Sequence, residues 1–143
     1  MVYYKVDLYF SMIFRVLLLL LLLPVAGINA QDCRNANGLL IGRWNGNEYR
    51  NAGGTLLYRY SINGELRNAS GKLILRISGD DIRDANGKFR GRLGRNGEAR
   101  DHSGRLLGRV QQNGDVRDQN GVLLGRAKDV LALHAAFIYF FLD

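Results

Sequence analysis

Asp81-Ile82-Arg83-Asp84-Ala85-Asn86-Gly87-Lys88-Phe89-Arg90-Gly91-Arg92 decides how this chain folds. Asn86-Gly87 between two short apolar-bearing runs is a hairpin signal. A two-residue type I′ loop there needs positive φ at both central residues, which Asn and Gly tolerate. Centred on that loop, Asp84 faces Phe89, Ile82 faces Gly91 and Asp81 faces Arg92. The hairpin is expected to carry an acid opposite an arginine on one face and apolar side chains on the other.

Working outward, the same stretch recurs. Arg34, Arg50, Arg67, Arg83, Arg100 and Arg117 stand 16 or 17 residues apart. Four residues after each is a glycine (Gly38, Gly54, Gly71, Gly87, Gly104, Gly121) and nine after each is a second arginine (Arg43, Arg59, Arg76, Arg92, Arg109, Arg126). Two residues before each is an acid: Asp32, Glu48, Glu65, Asp81, Glu98 or Asp115. A period this short, with a glycine turn about every eight residues, suits two short strands per repeat and six copies in all. Between copies, Ile62-Asn63-Gly64, Arg95-Asn96-Gly97 and Gln112-Asn113-Gly114 suit three-residue loops with a left-handed glycine. Gly46-Asn47 and Gly79-Asp80 suit two-residue type II′ turns. Either choice sets Trp44 opposite Tyr49 and Tyr60 opposite Leu66, so the alternating period changes no side chain's face.

Strand alternation assigns those faces. Leu73, Leu75 and Ile77 are expected to point inward, with Ile74 and Arg76 outward. The inner face then holds a Leu/Phe column (Leu40, Leu56, Leu73, Phe89, Leu106, Leu123), the Trp44-Tyr60-Ile77-Leu93-Val110 column and the Cys33-to-Val116 column. Gly42, Gly91, Gly108 and Gly125 lie inside, where only a small residue fits. The outer face holds both arginine columns and the acids. One apolar and one charged face describe an antiparallel sheet that must close on itself or be covered. The fold class is therefore all-β: an antiparallel repeat meander of short hairpins closed radially, a flower or small barrel.

The ends read differently. Val16–Leu23 is an unbroken apolar run between Arg15 and Pro24, with Ala30 after it, and describes a secretory signal over residues 1–30. Met12-Ile13-Phe14-Arg15 is the more ordinary start for such a segment. Residues 31–129 hold the six-copy repeat domain, and 130–143 form an apolar capping segment. That segment is too short to span a bilayer, so no integral membrane span remains after cleavage. Asp129 suits a helix N-cap before Val130, while Phe137–Phe141 reads more like a strand. A dozen strands in one ring leave a lumen that sheet side chains cannot fill, since about eight is the limit. The tail is expected to plug it.

The Arg-Asp-x-Asn-Gly-x-x-x-Gly-Arg pattern stands at Arg83-Asp84-Ala85-Asn86-Gly87 with Gly91-Arg92, and at Arg117-Asp118-Gln119-Asn120-Gly121 with Gly125-Arg126. It resembles the five-fold β-flower family of small exported bacterial proteins of Bacteroides type. Ala135-Ala136-Phe137 to Phe141 is similar to that family's Ala- and Phe-rich tail. The resemblance covers residues 32–142. The early repeats depart from it: Asn35, Asn51 and Asn68 stand for Asp, and Tyr58 and Leu75 for Gly. The resemblance implies a compact radial β-fold and an exported location, periplasmic or extracellular in a Gram-negative bacterium. It implies no activity and hands over no catalytic residues.

The chemistry within the chain is sparse. The formal charge of the whole chain is +7, and +6 is left for residues 31–143. A single cysteine excludes an internal disulfide framework and a cysteine-based zinc cage. Asp101-His102-Ser103 has the letters of a hydrolase triad, but chain neighbours cannot adopt nucleophile–base–orienter geometry. Asp84, Asp101 and Asp118 lie near one rim without the distal glutamate of a calcium loop. No catalytic residue, cofactor or metal is expected, and the reading is of a non-enzymatic cell-envelope binding module. Trp44, Tyr49, Tyr58 and Tyr60 cluster in the first two repeats, where aromatic faces would stack on glycan. Arg83, Arg100 and Arg117 are the candidates for an anionic surface polymer. An exported protein seldom meets nucleic acid, so none is expected as partner. The alternative is a structural or assembly protein acting through its apolar tail or its strand edges.

Overall fold

The computed structural model describes residues 30–142. Of the export segment expected over residues 1–30, all but Ala30 lie outside the described residues. Twelve short strands form six hairpins. They are β1 (Gln31–Asn35) with β2 (Leu40–Asn45), β3 (Glu48–Asn51) with β4 (Leu56–Tyr60), and β5 (Glu65–Asn68) with β6 (Leu73–Ser78). The ring continues with β7 (Asp81–Asp84) and β8 (Phe89–Leu93), β9 (Glu98–Asp101) and β10 (Leu106–Val110), and β11 (Asp115–Asp118) and β12 (Leu123–Arg126). Each strand pairs antiparallel with its sequence neighbours, and β1 pairs with β12 to close a barrel. Closure is what disposes of the sheet edges that a one-faced meander would otherwise expose.

The turns hold one confirmation and one correction. The inter-repeat turns are as the sequence predicts. Gly46 and Gly79 sit at φ 60° in two-residue turns, and Ile62-Asn63-Gly64 closes with Gly64 N–H donating to the Ser61 carbonyl at 3.0 Å. The Asn-Gly turns within repeats are not type I′, because Asn86 is not at positive φ and only Gly87 is. Gly87 N–H donates to the Asp84 carbonyl at 3.0 Å, and Asp84 N–H to the Lys88 carbonyl at 2.9 Å. The loop is therefore three residues long, a type I turn ending in a left-handed glycine. The Asp84 carboxylate explains the choice. Its Oδ1 accepts the N–H groups of Asn86 at 2.9 Å and Lys88 at 3.0 Å. Asn68 does the same with Ser70 and Lys72, so Asn and Asp are equivalent at this position.

The extra loop residue is compensated one step further in. Arg83 pairs with Phe89 and Ile82 with Gly91, so Arg90 is a bulge. The same shift occurs in every hairpin. Beyond it the register is the predicted one: Asp81 faces Arg92, Trp44 faces Tyr49 and Tyr60 faces Leu66.

The bulge reverses one assignment. Leu73 pairs with Arg67 and so lies on the arginine face, and the whole Leu/Phe column goes with it. Ile74, expected outside, packs against the core, as do Ile41, Leu57, Leu107 and Leu124 at the equivalent bulge positions. A bulge lets two consecutive residues lean to one side, which strict alternation does not foresee. The other two inner columns stand. Cys33, Trp44, Leu66, Ile82, Ala99 and Val116 are fully buried, and burying a side chain such as Leu66 or Ile82 contributes about 1.5–3 kcal/mol.

The tail fills the lumen. Helix α1 (Ala132–Ala136) runs into a π-helical turn, Phe137–Phe141, closed by Leu142 N–H on the Phe137 carbonyl at 2.9 Å. The strand expected over Phe137–Phe141 is absent. All the strand edges are used by the barrel, and an unpaired strand inside it would leave its backbone polar groups without partners. A helix satisfies them internally. Asp129 is no N-cap; it stands at φ 63° in the turn that sends the chain inward, and Leu131 caps without a side-chain bond.

The plug explains the inner glycines. A Cβ on Gly91 would lie 2.9 Å from the Phe141 ring, on Gly108 2.7 Å from Phe140, and on Gly125 2.6 Å from Tyr139. Three successive aromatics thus each rest on a bare patch of a different strand. The Tyr139 hydroxyl donates to the Arg34 carbonyl at 2.6 Å, tying the plug to the β1–β12 seam. Tyr49 covers Gly42 in the same manner.

Candidate functional site

The outer face carries a belt of ion pairs. Each hairpin's acid sits two residues before one arginine on its own strand and opposite another across the hairpin, so each carboxylate meets two guanidinium groups. Asp32 contacts Arg34 at 2.6 Å and Arg43 at 2.8 Å, Glu48 contacts Arg50 at 2.7 Å and Arg59 at 3.1 Å, and Glu65 contacts Arg67 at 2.7 Å and Arg76 at 3.1 Å. Asp81 lies 3.7 Å from Arg83 and 3.4 Å from Arg92. Glu98 pairs with Arg100 and Arg109, and Asp115 with Arg117 and Arg126. The acid-to-arginine pairing across each hairpin follows the sequence reading. The pairing of the first arginine column with the same acids goes beyond that reading: alternation sets acid and arginine two apart on one face, and each carboxylate has oxygens enough for both this neighbour and the arginine across the hairpin.

Hydrogen bonds from arginines hold the carboxyls of Asp32, Glu48, Glu65, Glu98 and Asp115 below the usual range. Arg43 acts first on Asp32, Arg50 on Glu48, Arg67 on Glu65 and Arg109 on Glu98. For Asp115 burial pushes upward, and the bonds from Arg126 and Arg117 outweigh it. These five are therefore charged at neutral pH, and the belt as a whole sets six acids against twelve arginines. Across the remaining strand boundaries arginine faces arginine: Arg43 opposite Arg50, Arg76 opposite Arg83, Arg92 opposite Arg100. Like charges placed so repel, and the belt holds half its positive charge uncompensated.

The two arginine columns differ in what they have left to offer. Arg83, Arg100 and Arg117, the sequence candidates for anion binding, each donate a second nitrogen to the carbonyl of their own turn glycine at 3.0–3.1 Å. Their guanidinium groups are committed at both ends. Arg92, Arg109 and Arg126 in the second column hydrogen-bond only to the acid and are more exposed. The donors free to meet an anion are therefore in the column that the sequence reading passed over. The available signal was the glycine four residues after each first-column arginine, whose carbonyl comes within that arginine's reach.

The aromatic candidates are placed together, but inside the barrel. Trp44 is fully buried, Tyr49 nearly so, and Tyr58 and Tyr60 half-buried. Trp44 stacks on His134 of the plug with centroids 4.2 Å apart, and Tyr60 meets His134 and Phe137. The faces expected to stack on glycan are occupied by the protein's own tail. The large side chains of the first two repeats fill the lumen where later repeats have smaller residues: Tyr58 stands in the column of Gly91 and Gly108, Tyr49 in that of Ala99 and Val116, and Trp44 and Tyr60 in that of Leu93 and Val110. The indole Nε1 is buried without an acceptor among the described residues.

The 5-fold beta-flower family model matches residues 30–143. The chain belongs to this family. No curated protein and no solved structure matches it. This β-flower is a closed ring of six hairpins, with six Asx-closed turns at one rim and five inter-repeat turns at the other.

The remaining chemical groups of the β-flower serve its turns and core. Ser103 Oγ donates to Asp101 Oδ1 at 2.6 Å, which with the backbone of Ser103 and Arg105 holds that carboxyl at about 2. Asp101-His102-Ser103 is thus turn chemistry. Among the described residues no three His, Cys, Asp or Glu side chains gather as metal ligands. Burial pushes the Cys33 thiol up to about 12. Among the described residues no helix is long and apolar enough to cross a membrane.

Proposed function

We propose that this β-flower is a non-enzymatic binding module of the cell envelope for an anionic surface polysaccharide, which it holds on the arginine belt. The observation that carries this reading is the second arginine column, exposed and with guanidinium donors beyond those its acids use. Guanidinium groups repeated around a rigid ring match carboxylate or sulfate groups repeated along a chain. The apolar run Val16–Leu23, taken as the heart of an export signal over residues 1–30, supports a location where such polymers occur. A role through the tail or the strand edges would need surfaces that the barrel uses itself.

Dextran sulfate and neutral dextran of the same length test the reading by titration calorimetry. Dextran sulfate is expected to bind and neutral dextran not, with affinity falling roughly tenfold as screening increases from about 50 to about 300 mM salt. Arg43→Gln/Arg59→Gln/Arg126→Gln should weaken binding while the circular dichroism spectrum stays β. Absence of binding, or equal binding of the neutral polymer, overturns the belt as a site. Tighter binding of duplex DNA than of dextran sulfate overturns the polysaccharide assignment. Intact residues 1–30 on the protein recovered from its cells overturn export.

A further inference from the structure

The repeat is broken at two adjacent positions. Where five hairpins have leucine in the outer column, this one has Phe89, and where five have Ile or Leu at the bulge, it has Arg90. The aliphatic bulge residues pack against the core; Arg90 is exposed and leaves that space open. A hollow of about 340 Å³ lies there, lined among others by Lys88, Phe89, Arg90, Asp101, Arg105 and Phe140. Phe140 is the plug residue that rests on Gly108, where a Cβ would lie 2.7 Å from its ring, so the floor of the hollow is fixed by close packing. Lys88 and Arg90 make no ion pair among the described residues, while Arg105 pairs with Asp101 at 3.2 Å. Phe89 links the hollow to the belt: the guanidinium groups of Arg83 and Arg92 lie 5.7 and 5.9 Å from the centre of its ring, although neither lines the hollow itself.

We infer that this hollow is a subsite for one acidic sugar residue, a hexuronate, whose ring rests on Phe140 and Phe89 and whose carboxylate meets Arg90 and Lys88. The apolar C–H face of a pyranose packs on aromatic rings, and its carboxylate suits a planar guanidinium in bidentate contact. A neutral sugar would leave two cations unmatched. A small inorganic anion would leave the aromatic floor uncovered. The inference deepens the belt reading: a uronate-bearing chain lying on the belt would set one residue in the hollow, which fixes its register as a uniform ring of arginines cannot.

Phe89→Leu/Arg90→Leu restores the residues the other hairpins carry, so the fold is expected to persist by circular dichroism. Trigalacturonate and a neutral galactotriose are titrated against both proteins. The wild type should bind trigalacturonate only, and the variant should bind it roughly tenfold more weakly, the worth of one charge-assisted pair. Dextran sulfate, which reads the belt, should bind the variant within about twofold of the wild type. Arg90→Gln, which keeps the volume and loses the charge, should match the double variant against trigalacturonate. Equal binding of trigalacturonate by wild type and variants overturns the subsite, as does equal binding of the neutral trimer. If trigalacturonate binds as expected and dextran sulfate does not, the belt falls and the hollow stands. The reverse pattern sinks the hollow alone.

Discussion

Asp84 receives two backbone N–H groups on one carboxylate oxygen, from Asn86 and from Lys88. Those two bonds decide between the two loop geometries that Asn-Gly permits, and so they place the bulge and the face of everything between turn and belt. Asp84→Ala should lower stability by about 1–2 kcal/mol, since two N–H donors lose their acceptor. Asp84→Asn should change it by less than about 0.5 kcal/mol, because Asn35, Asn51 and Asn68 already do the same work. Urea midpoints of the two variants check this. Gly108 is the second sensitive residue. Any Cβ there meets the Arg117 carbonyl and the Phe140 ring. Gly108→Ala should cost about 1–3 kcal/mol by overpacking. Gly53→Ala, in a turn where the new carbon meets only Asn51 Oδ1 at 3.4 Å, should cost less than about 0.5 kcal/mol in the same assay.

At the scale of the element, the plug carries its own titration. His134 is buried between Trp44, Tyr60 and Phe137, and burial alone lowers it from 6.5 to about 4. The unfolded chain therefore holds more protons than the folded one between those values. Stability is complete above pH 6.5, falls as pH drops toward 4, and loses nothing further from this group below that. The loss amounts to about 3 kcal/mol. Urea unfolding at pH 7 and pH 4.5 should show most of it, and His134→Phe, which keeps a stacking ring, should remove the slope. An unchanged slope in the variant would mean that the plug is not where the proton matters.

The plug's existence was legible in the sequence, because twelve strands enclose more space than their side chains fill. Its helical form was not. Phe137–Phe141 has strand-like composition, and only the closure of all strand edges makes a helix the better solution. The bulge was hidden for a related reason. Asn-Gly fits two loop lengths, and the Asp or Asn ahead of it was read as a motif letter and not as an acceptor for two donors. The belt's pairing was legible across hairpins from the spacing of acid and arginine. The burial of Trp44 and Tyr49 was visible in part: their column was placed inside, yet the tail's rings, which take up the stacking faces, come from residues some ninety positions away.

The whole molecule is a ring whose charge is held in unequal balance. Residues outside the belt carry as many acids as bases in the stretch 31–143, so the net +6 of that stretch is the belt's. Arginines of neighbouring hairpins face one another, and the carboxylates beneath them keep the ring together. Asp32, Glu48, Glu65, Glu98 and Asp115 are held below their ordinary values. Their contribution is present above the unfolded carboxylate range, near 4, and is lost as pH falls through the folded values. Acidification should therefore destabilise the barrel in two stages, His134 first and the belt below about pH 4. In the second stage the ten arginines paired with those five acids lose their counter-charges together, and the self-repulsion of a small barrel grows steeply. An anion that occupies the vacated guanidinium pairs should then replace the carboxylates. Sodium sulfate should raise the melting temperature relative to sodium chloride at equal ionic strength, and by more at about pH 3 than at pH 7. The difference between the two pH values separates binding at the belt from sulfate's general exclusion from protein surfaces, which acts at both. The same sulfate increment at both pH values would show that the guanidinium pairs do not take up anions, and the belt would then be a scaffold of charges and not a binding surface.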